Sequence, residues 1–125
     1  MASPDPSLLS LNTATISKQW TLAQAIEGCA RHGIRGIAPW RDKLAEMGVR
    51  EAANAIKAHG LTVSGLCRGG FFTAKNWLDD NRRAIEEAHE LGAQCALLPS
   101  SPNASHRSKA CSSVLTQARS AACIG

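Results

Sequence analysis

No stretch of this sequence approaches the roughly 18 apolar residues that a membrane-spanning helix needs. Its first residues, MASPDPSLLSL, lack a basic start leading into an apolar segment. They do not read as a secretory signal, and a cytoplasmic location without a membrane partner is the expectation. There is no C-x-x-C, and the five cysteines (Cys29, Cys67, Cys95, Cys111, Cys123) are widely spaced. Reduced, mostly buried thiols are therefore expected rather than disulfides or a zinc site. The loops G-x-G-x-x-G, G-x-x-x-x-G-K-[ST] and G-x-S-x-G are all missing, which disfavours dinucleotide and P-loop nucleotide binding and the usual serine-hydrolase elbow. The four histidines form no metal pair.

Acidic residues are absent from 99–125, and that absence explains the net charge of +4. Residues 1–98 hold 11 Lys+Arg against 10 Asp+Glu, while Arg107, Lys109 and Arg119 supply the other three positive charges. A near-neutral body with a basic tail does not make a nucleic-acid-binding face. The 44% hydrophobic and 19% charged composition fits one globular domain at this length of 125 residues.

What is present is an alternation of short apolar strands and amphipathic helices. Ser7–Leu11 reads as a first strand running into Asn12 and Thr13. Thr21 is a plausible N-cap for a helix over Leu22–His32, whose Leu22, Ala25, Ile26, Cys29 and Ala30 share a face. Gly33 ends it, and Ile34–Trp40 is the second strand. A short helix over Arg41–Met47 precedes a second amphipathic helix that carries Val49, Ala52, Ala53 and Ile56 and stops at Gly60. Leu61–Cys67 is the third strand. Asp79 or Asp80 is expected to cap a third covering helix with Ala84, Ile85, Ala88 and Leu91 inward, and Gly92 closes it before a fourth strand, Ala93–Leu98. Apolar residue and helix-ending glycine are seven apart in Ile26/Gly33, Ala53/Gly60 and Ile85/Gly92, a weak internal repeat of one βα unit each. Such alternation predicts an α/β fold with a parallel sheet and right-handed crossovers.

The chain is organised around Leu61–Phe72, LTVSGLCRGGFF. An apolar strand there runs into Arg68-Gly69-Gly70, where the backbone can turn sharply or approach a ligand closely. Ligands in parallel α/β proteins usually sit just past the strands' C-terminal ends. Parallel strands would gather Asn12 and Thr13, Trp40 and Arg41, Arg68 with Gly69 and Gly70, and Pro99 with Ser100 at one rim. An amide, an indole, a guanidinium and backbone N–H groups suit a polyol, and the arginine suits a phosphate or carboxylate. A turn with a solvated arginine and a core tryptophan is the plainer alternative. His32 and His59, each just before a helix-ending glycine, fit dipole-capping roles, and Glu86, Glu87 and Glu90 read as a solvated face.

The pieces LSLNTATI (Leu9–Ile16), GIAPWRD (Gly36–Asp42), LCRGGFF (Leu66–Phe72) and DDNRRAIEEAHELGAQC (Asp79–Cys95) resemble the N-terminal half of sugar phosphate isomerase/epimerase proteins of the xylose isomerase-like TIM-barrel superfamily. The resemblance covers residues 8–98. It implies an incomplete (β/α)8 barrel of about four parallel strands with three covering helices, and proton transfer next to a carbonyl of a sugar or sugar phosphate. Relatives of full length use a divalent metal such as manganese, magnesium or cobalt, held by Glu, Asp and His of later strands. No metal and no catalytic residue are expected within this chain, which should be inactive alone. Asn12, Trp40, Arg68 and Gly69 are the expected substrate-binding residues. Residues 99–125, Ser-rich and basic, do not continue the family pattern and form a separate tail. The competing readings are a flavodoxin-like open sheet, and a non-catalytic α/β module that self-associates through open sheet edges. Strand order separates the folds: 1-2-3-4 fits a barrel fragment and 2-1-3-4 a doubly wound sheet.

Overall fold

A computed structural model describes residues 4–70 and 74–97 of the chain. The longer helices form on apolar stripes, and the first of them also has a full start signal. Helix α1 (Leu22–Arg31) opens on a full capping box, in which Thr21 Oγ1 accepts from the Gln24 backbone N–H and the Gln24 side chain accepts from that of Thr21. A further free donor of its first turn, Leu22 N–H, is taken by Glu46 at 3.0 Å. Helices α2 (Arg41–Ala45) and α3 (Val49–Ala58) follow, and α4 (Trp77–Leu91) is the longest. Gly33, Gly60 and Gly92 follow the helical residues with positive φ, as the sevenfold spacing led us to expect. His32 and His59 are the C-cap residues of α1 and α3, and the His59 ring Nδ1–H donates to the Ala55 carbonyl at 2.8 Å.

Strands β1 (Ser10–Asn12), β2 (Gly36–Ala38) and β3 (Thr62–Val63) pair in parallel in that order. Strands β4 (Leu66–Cys67) and β5 (Ala96–Leu97) form a second parallel pair. The two are one run of strands with an interruption. Cys67 N–H donates to the Pro39 carbonyl and Trp40 bridges to Cys67, so the third segment stays beside the second. Gln94 N–H in turn donates to Val63 and Leu66 N–H to Cys95. Spatial order is therefore sequential, not the 2-1-3-4 order of a doubly wound sheet.

The sheet also curves. Ser10 on β1 and Ser64 just after β3 share a hydroxyl hydrogen bond although β2 lies between them. In a flat sheet those strands would stand about 9.6 Å apart. The side chains meet because Gly36, the β2 residue opposite Ser10, has no Cβ; one placed there would lie 2.8 Å from Ser10 Cβ. The concave face is thus small and polar. The convex face is the core side: Leu22, Ile26, Ile37, Leu44, Ile56 and Leu66 are nearly inaccessible, and Ala52, Val63, Ala88 and Leu91 pack with them.

Several expected boundaries move. The first strand starts later than Ser7, because Pro6–Leu8 forms a 3-10 turn capped by Asp5, whose carboxyl accepts from Ser7 N–H. The second strand is shorter than Ile34–Trp40, since Trp40 already serves as N-cap of α2. The third breaks at Ser64-Gly65, which lets both Val63 and Leu66 face the core although they are three apart. Neither Asp79 nor Asp80 caps α4. Asn76 holds that position without a side-chain bond, and the two aspartates lie in the first turn, where their charge still suits the helix dipole. Leu98 and the tail 99–125, including the rim positions Pro99 and Ser100, lie outside the described residues.

Candidate functional site at the strand C-terminal rim

Asn12, Trp40, Arg68 and Gly69 all fall at the C-terminal ends of neighbouring parallel strands. Trp40 and Arg68 are brought into contact: the guanidinium lies over the indole, 5.6 Å from the ring centroid. This is cation–π range. Arg68 is exposed, and with Trp40, Arg41, Asp42 and Cys67 it lines a cleft of about 330 Å³. A second cleft of about 290 Å³ adjoins it on the β1 side, lined by Thr13, Ala14, Ser17, Trp40, Asp42 and Lys43. Trp40 and Asp42 belong to both.

Trp40 is fixed through its backbone. Its N–H donates to Thr13 Oγ1 at 2.9 Å, and Thr13 is fully buried. Its indole Nε1–H is inaccessible and lacks an acceptor among the described residues. A buried donor left unmade costs about 1–3 kcal/mol. The plain-core reading of Trp40 does not account for that donor. Asn12 is placed at the rim but partly used: its Oδ1 accepts from Ala14 N–H at 3.0 Å, capping the 3-10 turn Thr13–Ile16. Its amide donors are what it offers to a ligand.

Gly69 is buried, and Gly70 touches the first turn of α4. A Cβ on Gly70 would collide with the Asp80 carboxylate. That carboxylate is held in turn: Arg41 Nη1 donates to Asp80 at 3.0 Å, while Arg41 Nε and Nη2 donate to Glu87. Arg41, though it lines the cleft, is thus tied by its guanidinium to α4. The doubly paired guanidinium has its pKa raised, foremost by Glu87, against the opposing effect of burial. The expectation of a solvated Glu87 fails here, for its side chain is only 17% exposed and paired. Glu90 pairs with the exposed Arg50, and Glu86 is exposed.

A closed circuit results: Trp40 is followed by Arg41, Arg41 holds Asp80, Asp80 abuts Gly70, and two residues back Arg68 returns over Trp40. Sequence reasoning missed the α4 half of it. The signal was faint: Asp80 and Glu87 are seven apart, two helical turns, so both carboxylates share one face. Another feature it missed is Asn81, fully buried with neither amide atom partnered among the described residues.

Cys29 and Cys67 are buried and reduced, as anticipated, whereas Cys95 is reduced but exposed. Cys111 and Cys123 lie outside the described residues. Among the described residues no three His, Cys, Asp or Glu side chains converge on a point that could hold a metal. The described residues therefore do not fit the divalent ion that the isomerase resemblance implies. No helix among them is long and apolar enough to cross a membrane.

No family model matches the chain, and no curated protein does. Among solved structures the chain is similar to the crystal structure of protein SMc04130 from Sinorhizobium meliloti 1021, with 41% identity and a TM-score of 0.82. The match takes in 94% of this chain and 48% of that one, so the chain spans about half the length of this solved relative.

Proposed function

We propose that the chain is part of a (β/α)8 barrel of the sugar phosphate isomerase/epimerase type, and that its rim binds the anionic and polyhydroxylated portion of a sugar phosphate. Sequential parallel strands, and a curvature tight enough for Ser10 to reach Ser64 across β2, support the barrel. The observation that carries the binding role is the cleft lined by Trp40, with the exposed Arg68 guanidinium over the indole. Arg68 would pair with the phosphate, Trp40 would stack on the sugar, and the Gly69-Gly70 backbone would lie against it. These residues bind and orient. The proton transfer next to the carbonyl, and the metal assisting it, fall to groups beyond the described residues.

The test is titration of the full chain with a ketose phosphate, the parent ketose and inorganic phosphate, read by calorimetry. The ketose phosphate should bind tightest, phosphate more weakly, and Arg68→Ala should abolish the difference between phosphorylated and free sugar. Equal, weak binding of all three with no effect of Arg68→Ala would refute the site.

A second reading, self-association through sheet edges, draws on Leu8 and Leu9, which are 84% and 54% exposed beside β1. β1 pairs on one side only among the described strands. A sedimentation series over concentration separates the two: dimerisation lost on Leu9→Lys favours an assembly module.

A further inference from the structure

We infer that Cys67 and Cys95 form a two-thiol site for a soft monovalent metal ion of the copper(I) class, on the concave face of β4 and β5.

The register sets the geometry. Leu66 pairs with Ala96 and Cys67 with Leu97, so Cys95 lies two residues back from Cys67's partner on the neighbouring strand. Leu66 faces the apolar core, and strand alternation turns its neighbour Cys67 to the opposite, concave face. Cys95, two positions before Leu97, alternates onto that same face. Its thiol finds room because Gly65 stands opposite: a Cβ there would lie 3.1 Å from Cys95 Sγ. The Cys95 thiol donates weakly to the Ser64 carbonyl at 3.3 Å. Cys67 lines the Trp40–Arg68 cleft, and Cys95 is exposed, so an ion has an approach.

The spacing selects the ligand. One strand separation of about 4.8 Å and two residues of rise, about 6.6 Å, put the Cα atoms roughly 8 Å apart. That exceeds the disulfide range, which ends near about 6.8 Å. A linear sulfur–metal–sulfur unit with bonds of about 2.3 Å spans roughly 4.6 Å between sulfurs, which thiols swinging inward can meet. No third His, Cys, Asp or Glu of the described residues joins them, so the tetrahedral set that zinc requires is lacking. Thiolates alone favour the soft copper(I) ion.

Charge balances as well. Two thiols release their protons to solvent and two metal–sulfur bonds form, leaving a bis-thiolate complex of net charge −1. The guanidinium of Arg68, in the same cleft, offsets it. Burial, and then proximity to Cys95, push the Cys67 thiol up. This site does not depend on the sugar-binding reading.

The experiment is anaerobic titration of the full chain with copper(I) against the chromogenic chelator bicinchoninate. Wild type and the Cys29→Ser/Cys111→Ser/Cys123→Ser variant should each withdraw one copper ion. Cys95→Ser, at an exposed position that leaves the fold intact, and Cys67→Ser should each weaken binding by about 100-fold or more, since even outer-shell losses cost about 10–100-fold. Undiminished binding by Cys95→Ser, or failure of the triple variant to bind, would overturn the assignment. So would ready formation of a Cys67–Cys95 disulfide with oxidised glutathione, which would show the thiols closer than the register places them.

Discussion

The two ends of the parallel strands differ in what holds their clefts together. At the N-terminal end a cleft of about 510 Å³ opens between α3, α4 and the start of β3, with Lys57, His89, Glu90 and Gln94 in its wall. The ion pair that borders it, Arg50 with Glu90, is mostly solvated at 87% and 43% exposure. The cleft at the C-terminal rim is smaller, yet its charges are half-buried and paired: Arg41 holds two carboxylates, Asp80 packs against Gly70, and Thr13 accepts from Trp40 N–H. The wider cleft is a gap between helix ends, whereas the narrower one has a shape that the sequence maintains with paired charges and a glycine.

The sharpest way to break that contrast is to remove one arginine from each end. Arg41→Ala strands Glu87 and Asp80, which are 17% and 33% exposed, without a cation. Removing one partner of a buried pair costs about 3–5 kcal/mol, and partial exposure reduces this to about 2–3 kcal/mol. Arg50→Ala should fall within about 0.5 kcal/mol of wild type. Chemical denaturation of both variants checks this, and equal losses would erase the distinction between the two ends.

An intermediate effect is expected where α2 meets α1, also on the rim side. Lys43, only 8% exposed, donates to Glu46 at 2.7 Å and to the Trp20 carbonyl at 3.1 Å. Glu46 also takes Leu22 N–H, and these two hydrogen bonds, the Lys43 one foremost, hold its carboxyl below the usual carboxylate range. A lowered folded pKa means the stabilisation is complete above the unfolded value of about 4.3 and is lost as pH falls through the folded one. Glu46→Gln should therefore cost about 1 kcal/mol at pH 7, modest because the side chain is 37% exposed. The gap between variant and wild type should narrow progressively below about pH 4. A gap that stays constant down to pH 2 would show that the carboxylate's charge is not what matters.

How much of this was legible in the sequence follows from which interactions are local. The helix stops at Gly33, Gly60 and Gly92, the Thr21 cap and the alternation of strand and helix all depend on residues within a turn of one another, and each was readable. The rim assignment of Trp40 and Arg68 needed only parallel topology. The α4 cap was misplaced because two aspartates are strong cap formers, and nothing local reveals that Arg41 and Gly70 engage Asp80 instead. Glu87 looked like surface because its partner lies 46 residues away. The break at Ser64-Gly65 was hidden for a related reason: an unbroken apolar run does not reveal that Val63 and Leu66 face the same side.

The smallest effect on stability, and the one that bears most on function, is expected at Arg68. Its guanidinium is exposed above Trp40, and an exposed cation–π contact is worth about 0.5–1 kcal/mol. That contact should therefore contribute about 0.5–1 kcal/mol to the loss in Arg68→Ala, well short of Arg41→Ala. The same geometry makes two roles compete, because the face of Trp40 that would stack on a sugar is the one Arg68 covers. An anion that draws the guanidinium away uncovers the indole, so ligand binding and Trp40 exposure should change together. In a Trp20→Phe/Trp77→Phe background, Trp40 emission should shift when a sugar phosphate is added and stay put when Arg68 is alanine. The affinity lost with Arg68 should be about 1.5–3 kcal/mol, the value of a charge-assisted hydrogen bond. If Trp40 emission responds equally with and without Arg68, the arginine does not control access to the tryptophan, and the two ends of the strands differ in rigidity alone.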